Sequence, residues 1–156
     1  MNKLSHVMNR VTREVHEDPR GLFRVLWEDA HDIQEVAISV MKKDVLKGIH
    51  GDKEGSNFKR LHCVAGRIYH VAVDVENSQW EATELTPDGP SVVLAPGVGS
   101  AVLVLSDEAT LLYAQTERYQ GPSRQFTHRW NDPAFNIAWP TTHPILSERD
   151  RKAPLI

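Results

Sequence analysis

Short stretches of alternating apolar and polar residues recur along the chain, each stopped by Gly, Pro, Asn or Asp. Candidate strands fall at residues 21–27 (GLFRVLW), 33–41 (IQEVAISVM), 45–49 (VLKGI) and 59–64 (KRLHCV). The series continues at 67–75 (RIYHVAVDV), 79–85 (QWEATEL), 91–95 (SVVLA), 101–105 (AVLVL) and 110–116 (TLLYAQT). Turn chemistry separates them: Gly51-Asp52, Ala65-Gly66, Pro87-Asp88-Gly89, Pro96-Gly97 and Gly121-Pro122. No window sustains an apolar stripe of helical period, and only 26–36 (LWEDAHDIQEV) could open a short helix. Many short strands at this spacing predict an all-β fold, an antiparallel sandwich or barrel with little helix.

The alternation also suggests a register. A two-residue turn at Ala65-Gly66 would pair Val64 with Arg67, Cys63 with Ile68, Leu61 with His70 and Lys59 with Ala72. Lys59, Leu61, Cys63, Ile68, His70 and Ala72 then share one face, and Arg60, His62, Tyr69 and Val71 share the other. Lys59 is the awkward member of its face. An isolated ammonium among apolar side chains is very costly, so it needs a partner or an opening to water.

A length of 156 residues suits a single domain over 1–156. The net charge of −3 (18 Lys+Arg against 21 Asp+Glu) argues against a nucleic-acid or anionic-membrane surface, which needs clustered positive charge. No run of 18 apolar residues exists to span a bilayer, and the first residues lack the apolar centre of a signal peptide. Cys63 is the single cysteine, so the expected compartment is the reducing cytoplasm and its expected role is core packing. Eight histidines invite a metal site, but Gly48-Ile49-His50-Gly51 has no second His two residues away, and His62 and His70 fall on opposite faces. No Gly-x-Ser-x-Gly or phosphate-cradling Gly-rich motif is present. The expectation is an absence of both metal and cofactor. The residues left to carry chemistry are His50, Lys59, Tyr113 and Asp150, far apart in sequence but on segments that could line one barrel. His50, Tyr113 and Asp150 also have bland readings, as a loop histidine, a core aromatic and a solvated tail acid.

From about Asp18 to Asp150 the chain resembles the dTDP-4-dehydrorhamnose 3,5-epimerase family. The matching pieces begin with Asp18-Pro19-Arg20-Gly21-Leu22-Phe23, Val45-Leu46-Lys47-Gly48-Ile49-His50, and Lys59 four residues before Cys63-Val64-Ala65-Gly66. Val73-Asp74, Leu103-Val104-Leu105-Ser106 and Leu112-Tyr113, with Tyr119 six residues after Tyr113, follow in order. Trp130-Asn131-Asp132-Pro133, Ile137-Ala138-Trp139-Pro140 and Leu146-Ser147-Glu148-Arg149-Asp150 complete the series. The resemblance implies a cupin-like jelly roll with the site inside the barrel, a variable amino-terminal segment (1–17) and a carboxy-terminal tail (141–156) that closes on the site.

It also implies an isomerase that inverts C3, C5 or both in a nucleotide-linked 4-keto-6-deoxy sugar, with a dTDP-linked substrate and a homodimeric assembly. Protons beside a ketone are acidic, so the reaction needs a base, an enolate stabiliser and an acid on the opposite face. By resemblance His50 is the base oriented by Asp150, Lys59 stabilises the enolate, and Tyr113 is the acid. Arg20 and Tyr119 would hold the nucleotide. The recognition shell departs from the family pattern. Lys47 stands for an arginine, Glu35-Val36-Ala37-Ile38-Ser39 for Gln-x-Asn-x-Ser, Gly99-Ser100-Ala101-Val102 for Ala-His-Gly-Phe, and His70 for an aspartate. Lys47, Glu35 and His70 are therefore expected at the substrate. Two other readings stay open: an idle or redirected jelly roll that only binds, and a 3,4-ketoisomerase using His50 with His70.

Overall fold

The computed structural model describes residues 8–11, 14–28 and 32–156. In chain order the first strands are β1 (Met8–Val11), β2 (His16–Asp18), β3 (Gly21–Phe23), β4 (Glu35–Lys42), β5 (Leu46–Asp52) and β6 (Lys59–Ala65). There follow β7 (Ile68–Asp74), β8 (Gln79–Leu85), β9 (Ser91–Leu94), β10 (Gly99–Val104), β11 (Glu108–Gln115) and β12 (Gln125–Thr127). Among the described residues, helix is confined to a 3₁₀ turn at Pro122–Arg124 and the single turn α1 (Glu148–Arg151). Among the described residues no helix is long and apolar enough to cross a membrane.

Two five-stranded antiparallel sheets form the body, ordered β1-β9-β6-β11-β4 and β12-β5-β10-β7-β8, with β2 and β3 as a separate ribbon. This is the all-β antiparallel sandwich that the short alternating strands led us to expect, in the jelly-roll form that the family resemblance implied. Alternate residues of each strand point between the sheets. Leu61 and Cys63 of β6 and Leu111 of β11 meet Ile68 and Ala72 of β7 and Val102 and Val104 of β10, all buried. Cys63 is core as expected, its thiol directed at the carbonyls of Ala65 and Gly66. The second sheet is buried on its outer face too, where Ile49, Val71, Val73 and Ala101 lie under Phe135, Ile137 and Trp139.

The β6–β7 hairpin register is overturned. β6 lies between β9 and β11, whereas β7 lies between β8 and β10 in the opposite sheet. Ala65-Gly66 is therefore a corner that carries the chain from one sheet to the other. The face assignment survives, because Leu61, Cys63, Ile68 and Ala72 still meet in one core. Alternation cannot tell a hairpin from such a corner, since both turn the same residues toward one apolar layer. Gly66 makes the corner possible: its φ is +82°, and a β-carbon there would sit 2.3 Å from the Glu108 carbonyl. The second face is buried as well, with Arg60, His62 and Val71 at 1%, 3% and 0% exposure. On β6 it is covered in part by Arg24, whose guanidinium meets His62 Nε2 at 2.8 Å.

Gly51-Asp52 is likewise no turn. Both residues continue β5, where Asp52 pairs with Gln125 and Gly51 with Phe126. Gly51 is there because the Phe126 ring lies on it; a β-carbon would meet the ring at 2.1 Å. The expected strand 21–27 is ordered as strand only over Gly21–Phe23, paired with β2. The described part of 26–36 contains no helix, and residues 29–31 lie outside the described residues.

Candidate active site

The inward faces of the two sheets part at one end to leave a cavity of about 400 Å³. His50, Ser100 and Lys47 line it from the β5–β10 side, and Lys59, Leu61 and Tyr113 from the β6–β11 side. Gln115, Tyr119, Gln125 and Arg149 form its rim. The sequence spacing alone would not allow this. Lys47 and His50 are three residues apart, which on a regular strand puts them on opposite faces. A β-bulge resolves it: β10 pairs Ser100 with His50 but Val102 with Lys47, so two steps on β10 match three on β5. The bulge carries Gly48 at φ +124°, and a β-carbon there would lie 2.5 Å from the Ser100 carbonyl. Only glycine fits that position.

Asp150 is placed by α1. Ser147 caps this turn, its hydroxyl accepting from the Asp150 N–H at 3.2 Å, a contact that typically contributes about 1 kcal/mol. The carboxylate, 1% exposed, takes His50 Nε2 at 2.5 Å on one oxygen and the Gly48 N–H at 3.2 Å on the other. Burial pushes the Asp150 carboxyl up, but the hydrogen bond and charge of His50, the Gly48 amide and Ser147 outweigh it. The group is held below the ordinary carboxylate value and is ionised at neutral pH. An ionised carboxylate only accepts, so the proton of neutral His50 sits on Nε2 and leaves Nδ1 as the basic nitrogen.

A pH dependence follows from this arrangement. Because the folded pKa of Asp150 is depressed, its contribution to stability is complete above the unfolded value near pH 4 and is lost as pH falls through the folded value. The Asp150→Asn protein, which cannot titrate there, should melt at lower temperature at pH 7 and lose less stability below about pH 4 than the native chain. Thermal melts from pH 2 to 7 check this. An unchanged acid slope would show that other carboxyls dominate.

Tyr113 stands on the facing sheet. Its phenol is pushed up to about 12 by burial, so it keeps its proton at neutral pH and is a donor. Lys59, flagged as awkward on its strand face, has both a partner and the cavity: its ammonium lies 3.3 Å from Asp52 Oδ2. Asp52 in turn accepts from Asn57 Nδ2 at 3.1 Å, and the same amide reaches Gln115 Oε1 at 3.0 Å. Gln115 Nε2 donates to Glu35 at 2.7 Å, and Glu35 accepts from the Tyr119 N–H at 3.2 Å. A continuous hydrogen-bonded row thus runs from Lys59 to Tyr119.

The structure brings together His50, Asp150, Lys59, Tyr113, Lys47 and Tyr119. Lys47 lines the cavity with its ammonium on Ser39 Oγ at 2.7 Å. Glu35 is committed to Gln115 and Tyr119 and does not line the cavity. His70 is fully buried behind the wall, on Ser100 Oγ at 3.0 Å. Arg20 sits on the β2–β3 ribbon, forked onto Asp18 with its side chain 90% exposed, and does not line this cavity. Sequence reasoning missed Ser100, Gln115, Gln125, Arg149, Asn57 and Asp52. Gln115 was within reach, two residues from Tyr113 and so on the same strand face. Arg149, which donates to Thr127 Oγ1 and Gln125 Oε1, adjoins Asp150.

Among the described residues the lining has three cations (Lys47, Lys59, Arg149) and no carboxylate. A histidine held by a buried carboxylate thus faces a protonated phenol across the cavity of a jelly roll, an arrangement that can remove a proton on one side and supply one on the other. The chain belongs to the dTDP-4-dehydrorhamnose 3,5-epimerase family, whose model matches residues 3–156, and so stands among the sugar-nucleotide epimerases. It is 34% identical to the dTDP-4-dehydrorhamnose 3,5-epimerase of Mycolicibacterium smegmatis, over 92% of this chain and 79% of that protein. It is 32% identical to the dTDP-4-dehydrorhamnose 3-epimerase of Streptomyces niveus, over 94% and 78%. Among solved structures it is similar to NovW, a 4-keto-6-deoxy sugar epimerase from Streptomyces spheroides. The TM-score is 0.88 at 31% identity, covering 95% of this chain and 82% of that one. ChmJ, a 3'-monoepimerase from Streptomyces bikiniensis in complex with dTDP-quinovose, matches with TM-score 0.88 at 30% identity, over 95% and 83%.

Proposed function

We propose that this chain epimerises a dTDP-linked 4-keto-6-deoxy sugar, inverting at least C3. The observation that carries the reading is the placement of His50 with Asp150 on one sheet and Tyr113 on the facing sheet. His50 Nδ1 takes the proton beside the C4 ketone. The C–H pair moves into a C=C bond, and the ketone oxygen becomes an enolate stabilised by the Lys59 ammonium. As the enolate collapses, the Tyr113 O–H delivers a proton to the same carbon from the other side, leaving a phenolate that recovers its proton from solvent while the His50 imidazolium releases one to it. Lys47 and Arg149, the other cations of the described lining, suit the diphosphate, and Tyr119 offers its ring to the nucleotide. Relatives of comparable similarity are named as 3,5- and as 3-epimerases. C3 is common to both, so C3 is the carbon assigned. Incubation with dTDP-4-keto-6-deoxyglucose, followed by NMR of the product, should show inverted C3. Recovery of unchanged substrate would leave the binding-only reading.

The assembly we propose is a homodimer joined through β4. Among the described residues this strand is a sheet edge, paired only with β11, and its outer face carries Val36, Ile38 and Val40 at 62%, 63% and 58% exposure. An apolar edge strand of eight residues needs a cover, and a second copy related by a two-fold axis supplies one. Light scattering at micromolar concentration should give twice 17.6 kDa, and Ile38→Lys should halve it. A native chain that scatters as a monomer would contradict this. The unpaired, buried thiol of Cys63 supports action in the reducing cytoplasm.

A further inference from the structure

Ser100 is the only hydroxyl-bearing residue of β10, whose sequence is otherwise Gly, Ala, Val, Val and Leu. It faces the cavity, and its Cα partner on the neighbouring strand is His50. Directly opposed residues hold their β-carbons roughly 4.5–5.5 Å apart, so the hydroxyl stands beside the imidazole on the same wall. On its other flank β10 pairs with β7, where Ser100 opposes Ala72 and Val102 opposes His70. His70 is thus the diagonal neighbour of Ser100, and its Nε2 lies 3.0 Å from Ser100 Oγ. His70 has no exposed surface and sits between Ile68 and Ala72 of the core, so its ring is fixed.

These relations divide two roles. A serine hydroxyl has one donor and two acceptor sites and rotates freely when alone. One bond to an immobile imidazole removes that freedom and leaves the remaining sites turned to the cavity. We infer that Ser100 is a substrate-contacting residue, oriented by His70, that holds a sugar hydroxyl on the His50 side of the ring. His70 is then a positioning residue rather than a substrate ligand or a second base. Holding the ring at this point sets the reacting C–H against His50 Nδ1, where small misplacements are costly in rate. The inference rests on the epimerase reading.

The test compares wild-type, Ser100→Ala, His70→Leu, His70→Gln and the Ser100→Ala/His70→Leu proteins. With dTDP-4-keto-6-deoxyglucose, Ser100→Ala should lower kcat/KM about tenfold, the loss expected for one hydrogen bond. Its affinity for dTDP alone, which lacks the sugar, should not change. His70→Leu should show a similar loss, and the double variant should be no worse than Ser100→Ala, because both act through one hydroxyl. His70→Gln, whose amide can either donate to or accept from the Ser100 hydroxyl, should recover most of the activity. If His70→Leu does not fold, Ser100→Ala and His70→Gln still decide. Wild-type kcat/KM in Ser100→Ala, or an equal fall in dTDP affinity, would overturn the role of Ser100. Additive losses in the double variant would overturn that of His70. A wild-type protein that leaves the sugar unchanged overturns the epimerase reading and this inference with it, whereas an active enzyme indifferent to Ser100 sinks this inference alone.

Discussion

The His50→Asn protein is expected to lose both solvent-proton exchange and product formation, by about 10³-fold or more. Nδ1 of His50 is the ring nitrogen that the Asp150 contact leaves basic, and asparagine keeps approximate size while having no base. General-base catalysis typically contributes 10²–10⁴-fold. His70 cannot substitute, since it is buried and turned onto Ser100. Because Asp150 acts through His50, adding Asp150→Asn to His50→Asn should cost little further activity. Mass spectrometry of the sugar after incubation in D₂O reads exchange directly. Full activity in this variant would remove His50 from the mechanism.

Tyr113→Phe should separate two events that His50→Asn removes together. The phenol stands on the sheet facing His50, and burial keeps it protonated. Phenylalanine retains the ring packing and deletes the donor. His50 can still remove a proton and return one to its own face, so deuterium should continue to enter recovered substrate. Inversion should fall by about 10²–10⁴-fold, the range for losing a general acid. Equal loss of exchange in both variants would refute the two-sided arrangement.

Which parts of this site were legible in the sequence follows from the range of each signal. Strand positions and inward faces are local, and alternation placed Leu61, Cys63, Ile68 and Ala72 in one core correctly. Strand partners are not local, so β6 and β7 read as a hairpin although they belong to opposite sheets. Lys59 announced itself because a lysine among apolar positions needs an explanation, and the cavity with Asp52 is that explanation. The convergence of Lys47 and His50 was hidden. It depends on a bulge that only the pairing with β10 shows, and Gly48 gives no sign in sequence that it carries one. Gly51 misled for a related reason: its missing side chain serves the Phe126 ring rather than a turn. The role of Asp150 came from resemblance alone, since a one-turn helix has no periodicity to read. Resemblance also grouped Arg20, Glu35 and His70 with the substrate. In this chain Arg20 lies on an exposed ribbon, Glu35 holds Gln115 and Tyr119, and His70 stands behind Ser100.

The most direct test of the central claim, that His50 and Tyr113 work on one carbon from opposite walls, is the position of deuterium after turnover in D₂O. Proton NMR of the wild-type product from dTDP-4-keto-6-deoxyglucose should show the C3 signal replaced by deuterium with C3 inverted. The Tyr113→Phe protein should give deuterium at C3 with configuration retained. Inversion without deuterium in the wild-type product, or no label in either reaction, would contradict the mechanism.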